Sequence, residues 1–233
     1  RPGGEGRNLE PFRRGLVDAI IAVAVDLSQE EIDDLVHRGM PAVLIQETKN
    51  GAAPSFVVDN YGGACQLTAH LLTHGYRRFA YITGSDFTCD NTERRRGLEE
   101  TLAAAGLMLD PRYVIPGDYM RGVGYRAMSA LLELEPLPDV VFAANDQMAG
   151  DALFAIQERG LRVPDDMALA GFDDIPLASY MTPALTTVHQ PTYELGFQAA
   201  QAALNMVKEE EAIEPKRVVL PTRLVVRRSC GCP

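Results

Sequence analysis

The chain of 233 residues contains no tryptophan, only four cysteines and four histidines, and fewer basic than acidic side chains. Lysine and arginine number 22 against 32 aspartates and glutamates, so the formal net charge is -10 at pH 7. Because such a surface repels phosphate groups, we do not expect the chain to bind nucleic acid by its general surface. The sequence also contains no apolar run long enough to span a membrane, and no signal peptide is recognisable at its start.

The few cysteines lack the regular spacing of a disulfide scaffold. They are Cys65, Cys89, Cys230 and Cys232. This usage favours a reduced, cytoplasmic protein. The C-x-C pair near the C-terminus supplies only half of a metal site, so the preferred interpretation is a frayed, reduced tail.

Sequence motifs of catalytic and metal sites are missing or incomplete. His70 and His74 are four residues apart on a predicted helix, but the motif lacks a glutamate and a third ligand, which predicts a solvent-facing pair. Residues 122–127 match G-x-G-x-x-A without following a strand directly, so they predict only a helix start. There is no G-x-S-x-G elbow and no P-loop, and Cys89 has no evident histidine partner. We therefore predict no catalysis, no metal and no cofactor; an α/β enzyme stays open as an alternative.

Short apolar runs alternate with amphipathic helical segments along the chain. The run at 140–144 has the unbroken apolar character of a buried parallel strand, and a helix that ends at Gly160 separates it from a second run at 167–172. Such alternation predicts an α/β fold with mostly parallel sheets and right-handed crossovers. A last strand at 218–226 is interrupted by Pro221 and is predicted at a sheet edge. Because the first clear strand follows a helix end, we expect the chain to begin inside a domain, without its first βα unit.

Polar residues stand where the predicted strands end. Asn145 follows the strand at 140–144, Asp173 follows the next strand, and Gln190 follows a β-branched run. Arg94 lies in the first turn of a helix after another strand and loop. Singly, each has an ordinary structural explanation, as a helix cap, a turn residue or a surface arginine. Together they fall at the strand ends of one sheet, where open α/β proteins bind ligands, and they predict a shared cleft for a small polar molecule.

Several segments carry a family resemblance over nearly the whole chain from Leu16 on. The most specific are Asn145-Asp-Gln-Met-Ala149 and Leu185-Thr-Thr-Val-His-Gln-Pro191, with Ala170-Gly-Phe-Asp-Asp174 and Leu224-Val-Val-Arg-Arg-Ser-Cys-Gly231 in support. With these segments the chain resembles the effector-binding region of the LacI/GalR transcriptional regulators. The fold of that region is that of the type I periplasmic binding proteins.

The resemblance implies two similar lobes with the effector cleft between them. One lobe would comprise residues 1–60 and 191–214 and would be incomplete, because its first βα unit is missing. The other would comprise residues 61–190 and 215–233. The family's helix-turn-helix headpiece and hinge helix are also absent, so the resemblance implies that operator DNA is bound only through that missing N-terminal headpiece.

The resemblance also implies an effector site, residue by residue. Three positions match polar effector ligands, namely Arg94, Asn145 and Asp173. Tyr119 matches an aromatic side chain that stacks on the ligand, and Gln46 and Gln190 match positions on the cleft wall. Polar groups around a flat ring suit a sugar or a nucleoside-like effector.

The function implied by this family is effector sensing. A small ligand in the cleft would control DNA binding allosterically through a homodimer in the cytoplasm, with no membrane partner. The alternative is a periplasmic sugar-binding receptor for transport or chemotaxis, which shares the fold but would need export.

Overall fold

Two compact units make up the chain. The computed structural model describes residues 15–23, 29–39, 41–46, 53–85, 88–209 and 216–232. Unit 1 comprises the described residues up to Val58 together with Pro191–Leu220. Unit 2 comprises Asp59–Gln190 together with the described residues from Pro221 on. That these units are the lobes of an effector-binding protein stays a prediction.

Unit 1 is built on a parallel sheet of four strands. Its described elements are β1 (Ile20–Val23), α1 (Gln29–His37), β2 (Ala42–Ile45), β3 (Ser55–Val58), α7 (Thr192–Glu209) and β9 (Arg217–Leu220). The strand order is β1-β2-β3-β9, and every pairing is parallel. Leu195, Ala199 and Ala203 recur every four residues on one face of α7, and they share a buried cluster with Phe56 and Val58 of β3.

Unit 2 contains a second parallel sheet and an antiparallel strand pair. Its described elements are α2 (Asn60–Thr73), β4 (Phe79–Ile82), α3 (Cys89–Ala104), β5 (Val114–Ile115), α4 (Val123–Leu131), β6 (Val140–Ala143), α5 (Asp146–Glu158), β7 (Ala168–Ala170), α6 (Pro176–Tyr180), β8 (Thr187–His189) and β10 (Arg223–Val225). The parallel sheet has the order β5-β4-β6-β7, while β8 and β10 pair antiparallel. The predicted α/β class with mostly parallel sheets is confirmed.

The central strands of the unit 2 sheet are buried along their whole length. All residues of β4 and β6 are buried, which agrees with their apolar sequences because helices cover both faces of a parallel sheet. On the helical layers, α2 packs on α3 and α4 packs on α5. None of the helices within the described ranges is both long and apolar enough to cross a membrane.

The end of the chain differs from the prediction in two respects. The predicted strand at 218–226 is two strands, of which β9 pairs with β3 in unit 1 and β10 pairs with β8 in unit 2. Pro221 lies between them, since proline cannot donate to a strand ladder. Residues 217–220 therefore belong to unit 1, whereas the family resemblance implied that the whole segment 215–233 lies in the other lobe.

The C-terminal segment is folded, and the predicted frayed tail is wrong. Cys230 is fully buried in the core of unit 2 and ends a short 3-10 helix, Arg228–Cys230. The neighbouring Ser229 hydroxyl donates to the carbonyl of Leu169 at 2.6 Å and accepts from the backbone N–H of Thr186 at 2.8 Å. These bonds hold the segment against β7 and against the residue that precedes β8.

A glycine in α4 allows this helix to approach α5 closely. A Cβ atom at Gly124 would lie 2.2 Å from the backbone oxygen of Met148 on α5. Gly122 precedes the helix as its N-cap in the left-handed conformation, with φ 83. The glycine pattern at 122–127 therefore serves a helix start, as predicted, and in addition a helix contact.

Replacing Gly124 with alanine should destabilise the protein, because the new methyl group meets backbone that cannot rotate away. We expect the free energy of unfolding in urea to fall by about 1–3 kcal/mol. The matched control is Gly150→Ala on α5, where the added Cβ would meet the terminal Cε of Met181 at 2.9 Å and would be in ordinary contact with Leu177 Cδ2 at 3.5 Å. That flexible side chain can move, so the control should change stability by less than about 1 kcal/mol. Equal losses in the two variants would contradict the role of Gly124.

Candidate functional site

The carboxyl edge of the unit 2 sheet collects most of the predicted site residues. Asn145 lies just beyond the end of β6, Asp173 lies three residues after β7, and Gln190 directly follows β8. Asp173 also forms an isolated parallel bridge with His189, which brings the loop after β7 alongside the end of β8. These strand ends meet because parallel strands finish at the same edge of a sheet.

Arg94 is the central charge of this edge and is only 2% exposed. It lies in the second turn of α3, not in the first turn as predicted, because the helix already begins at Cys89. Its Nε donates to Asn60 Oδ1 at 2.8 Å, and its Nη1 donates to the carbonyl of Ala144 at 2.5 Å and to Asp173 Oδ1 at 3.3 Å. Burial acts to lower the pKa of Arg94, but the nearby acidic groups, with Asp173 first, outweigh it and raise that pKa. The guanidinium therefore stays charged.

Asp173 pairs with Arg94 from a strained position. Its backbone φ is 113, in the left-handed region that residues other than glycine seldom adopt. Its Oδ1 also accepts from Gln190 Nε2 at 2.5 Å. Burial raises the pKa of Asp173, while Arg94 and Gln190 act in the opposite direction. Within the part of the chain that the structure describes, we find no hydrogen bond to Asp173 Oδ2 or from Arg94 Nη2.

Asn145 joins two neighbouring segments. Its Oδ1 accepts from the backbone N–H of Met148 at 2.9 Å and so caps α5. Its Nδ2 donates to the carbonyl of Tyr119 at 3.2 Å. Tyr119 has φ 69, and its ring lies so close to Gly84 that a Cβ there would be 1.9 Å from the ring Cζ. The centroid of the Tyr119 ring is 5.8 Å from the Arg94 Cζ, so Asn145 positions an aromatic face beside the buried cation.

The two predicted wall residues belong to different units. Gln190 is half-buried and donates to Asp173 from its backbone as well as from its side chain. Gln46 follows β2 in unit 1 with φ 73, and its backbone N–H donates to Phe56 at 3.0 Å. The structure brings the five predicted residues of unit 2 together. The place of Gln46 beside them, and the ligand-binding role of all six, stay predictions.

The residues that support Arg94 were missed by the sequence analysis. Asn60 begins α2, accepts from Arg94 and donates its Nδ2 to Asp90 Oδ1 at 3.0 Å. A signal was available for Asn60, because it follows a strand as Asn145 does. The Phe172 ring lies 3.9 Å from the Arg94 Cζ in cation–π geometry. No signal distinguished Phe172, since an apolar residue in a predicted strand indicates only the core.

Asp146 is a fully buried carboxyl group at the same edge. Its Oδ1 accepts from the Thr187 hydroxyl at 2.5 Å, and its Oδ2 accepts from the backbone N–H of Ile175 at 2.9 Å. Burial raises the pKa of Asp146 to about 7, although both hydrogen bonds act to lower it. The group ties α5 to β8 and to the loop before α6, which is a structural role.

Comparison with known proteins shows the family. A family model described as a periplasmic binding protein-like domain matches residues 68–230. The HTH-type transcriptional repressor PurR of Haemophilus influenzae (strain PittEE) is 30% identical over 225 residues, which cover 95% of this chain and 67% of PurR. A solved putative regulator of the LacI family from Sanguibacter keddieii is 33% identical, with a TM-score of 0.83 and coverage of 96% of this chain and 80% of that one. The chain belongs to the LacI/GalR family. It covers the effector-binding region of these regulators, as the resemblance predicted.

Another member of the family is similar over a shorter stretch. The HTH-type transcriptional regulator CelR of Thermobifida fusca is 40% identical over 172 residues, which are 74% of this chain and 50% of CelR. A solved complex of CelR with cellobiose has a TM-score of 0.87 at 34% identity, and the match covers 95% of this chain and 69% of that chain. The match with CelR thus spans only half of that relative's length. The agreement in structure confirms the predicted periplasmic-binding-protein-like fold.

A separate group of four potential metal ligands lies at the C-terminal end of α2. His70 and His74 meet Cys230 and Cys232 there, and one ligand atom of each lies within 4.8 Å of the others. Sequence spacing predicts two unrelated half-sites and a solvent-facing His70. His70 is instead half-buried against the C-terminal segment. Spacing could not reveal this meeting, because almost the whole of unit 2 separates the pairs in the sequence.

Replacing Arg94 with alanine should strongly destabilise unit 2, because Asp173 and Asn60 would lose the buried cation that they face. We expect a loss of about 3–5 kcal/mol in urea denaturation. The matched control is Arg95→Ala on the same helix, whose side chain is 46% exposed and pairs with Glu99 one turn away. That control should cost about 0.5 kcal/mol or less. A mild effect at Arg94 would contradict its structural role.

Replacing Asp146 with asparagine should change how stability depends on pH. Because the pKa of Asp146 is raised from 3.8 to about 7 in the folded protein, its contribution is complete below pH 3.8 and is lost as the pH rises through about 7. We expect the free energy of unfolding of the wild type to fall, relative to Asp146→Asn, across this range. Urea titrations at constant ionic strength measure the difference. Parallel curves for the two proteins would contradict the raised pKa.

Proposed function

We propose that the chain is the effector-sensing region of a LacI/GalR-type transcriptional regulator and binds a sugar at the carboxyl edge of the unit 2 sheet. The observation that carries the proposal is the ion pair of the buried Arg94 with the half-buried Asp173, in which Arg94 Nη2 and Asp173 Oδ2 have no hydrogen-bond partner among the described residues. The residues that we assign to the site are Arg94, Asn145, Asp173, Tyr119 and Gln190, with Gln46 of unit 1 as a further predicted contact.

The chemistry of this edge suits a polyhydroxylated ligand. A sugar hydroxyl both donates and accepts, so it can donate to Asp173 Oδ2 and accept from Arg94 Nη2. Hydrogen bonds to charged partners are about twice as strong as those between neutral groups. The ring of Tyr119, held beside Arg94, offers a flat apolar surface for a sugar face. A small set of polar groups beside an aromatic wall is typical of small-molecule sites.

The relatives support a sugar rather than a nucleoside-like ligand as the first candidate. The solved structure of CelR contains cellobiose, and CelR is the most identical of the relatives described above. Cellobiose is therefore the first ligand to test, followed by other disaccharides, monosaccharides and nucleosides. The named relatives are regulators and not enzymes, and none supports the alternative of a transport receptor.

The output that we propose is control of DNA binding by a cytoplasmic homodimer. The DNA-binding part would lie outside these 233 residues, because the acidic chain is unsuited to phosphate contacts. The effector can shift the equilibrium between two conformations of the regulator only as far as its affinities for the two conformations differ.

Calorimetry with cellobiose and the sugar panel tests the site. Asp173→Asn keeps the shape of the side chain and removes its charge, so it should weaken the binding of the effector by about 10- to 100-fold. Thermal denaturation in the absence of ligand should verify that the variant is folded.

The matched control for Asp173 is Asp165→Asn. Asp165 is exposed and precedes β7, so it lies at the opposite edge of the sheet. This variant should bind the effector like the wild type. Unchanged affinity in Asp173→Asn would contradict the site, and binding of no sugar or nucleoside in the panel would contradict the proposed ligand class.

A further inference from the structure

Two histidines at the C-terminal end of α2 and two cysteines from the C-terminal segment converge on one point. His70 Nε2 lies 3.4 Å from Cys230 Sγ and 3.8 Å from Cys232 Sγ. His74 Nε2 lies 3.3 Å from Cys232 Sγ. All four residues belong to unit 2. The four side chains thus present two nitrogen and two sulfur atoms to a common centre.

Three nitrogen–sulfur separations in the cluster match those in the ligand shell of a tetrahedral zinc ion, and all four ligand atoms lie within 4.8 Å of one another. With Zn–S bonds of about 2.3 Å and Zn–N bonds of about 2.0–2.1 Å, neighbouring ligand atoms in a tetrahedron are about 3.3–3.8 Å apart. The three measured nitrogen–sulfur distances fall in that range. A simple thiol–imidazole hydrogen bond would explain one such contact, but it would not explain why four ligand atoms converge.

The backbone between the cysteines is shaped so that both face the histidines. Gly231 has φ 95, in the left-handed region that glycine adopts freely, and a Cβ there would lie 3.2 Å from the Tyr76 hydroxyl. Tyr76 donates to the carbonyl of Cys230 at 3.0 Å, and its ring stacks on His74 with centroids 5.9 Å apart. One tyrosine therefore holds both halves of the cluster in place.

The buried sulfur of Cys230 has a partner suited to a metal thiolate. The Thr186 hydroxyl lies 3.1 Å from Cys230 Sγ and 3.0 Å from the carbonyl of Arg227, so its single hydrogen can donate to the sulfur when Cys230 is a thiolate. Hydrogen bonds from such outer residues orient metal ligands and tune their affinity. Two thiolates and two neutral imidazoles would also balance the charge of a divalent cation, so burial of the site would not leave an uncompensated charge.

We propose that His70, His74, Cys230 and Cys232 form a structural zinc site that fastens the C-terminal segment to α2. Two cysteines and two histidines are a characteristic ligand set of structural zinc. All four ligands come from the protein, so the site has no open position for a substrate. The site acts on the stability of unit 2.

Metal analysis of the protein, purified without a histidine tag, tests the proposal. We expect one zinc ion per chain after purification from zinc-containing medium. Removal of zinc by a chelator under reducing conditions should lower the Tm, because a ligand that binds only the folded state stabilises it. Cobalt(II) in place of zinc should produce the visible bands of a tetrahedral ion and a thiolate-to-cobalt charge-transfer band.

Single substitutions separate metal ligation from general folding. Cys232→Ser and His74→Gln should each weaken zinc binding by about tenfold or more. His74 is exposed, so its replacement leaves the core intact. The matched control, Cys89→Ser at the start of α3, should bind zinc like the wild type.

Three results would overturn the zinc site. The first is full zinc affinity in both ligand variants, and the second is a six-coordinate cobalt spectrum. The third is freshly isolated, metal-free protein whose mass is lower by two hydrogen atoms because Cys230 and Cys232 form a disulfide.

Discussion

Burial of the Arg94 guanidinium is the constraint on which the carboxyl edge of unit 2 depends. A buried cation is costly unless its donors find acceptors and its charge finds a partner. Asn60 at the start of α2, the carbonyl of Ala144 after β6, and Asp173 after β7 supply these groups. Three segments that are far apart in the sequence are therefore held together by one side chain, at the edge where the parallel strands end.

The same constraint explains why this edge is suited to a ligand. Asp173 is held in a left-handed backbone conformation, and its Oδ1 is occupied by Arg94 and Gln190. Asn145 uses its oxygen to cap α5 and its nitrogen to position Tyr119. The protein thus fixes the positions of these groups by its own contacts, which would lower the ordering cost of the binding that we propose. Family membership supports an effector as that ligand.

The helix α2 carries contacts of both groups of functional interest. Its first residue, Asn60, accepts from Arg94, and its C-terminal end presents His70 and His74 to the two cysteines. The C-terminal segment reaches this end through buried contacts with β7 and with Thr186. The C-terminal segment therefore packs against the C-terminal end of α2 in unit 2. A short tail with two cysteines is structural here because its backbone is bonded into the core.

Local patterns were sufficient to predict the α/β class, since buried parallel strands are apolar throughout and their helices end at glycines. They also predicted that Asn145 and Asp173 lie at one edge, because parallel strands end together.

The sequence alone could not separate the buried Arg94 from the exposed Arg95 beside it, since both are arginines on one helix and only the packing of α3 distinguishes them. Nor could it join the two histidines to the two cysteines, which meet only through contacts between distant segments. The sequence by itself thus determined the family, most of the strands and helices, and the edge at which polar groups collect. The tertiary structure decided which charges and which sulfur atoms are buried together, because burial depends on the packing of distant segments and not on local spacing.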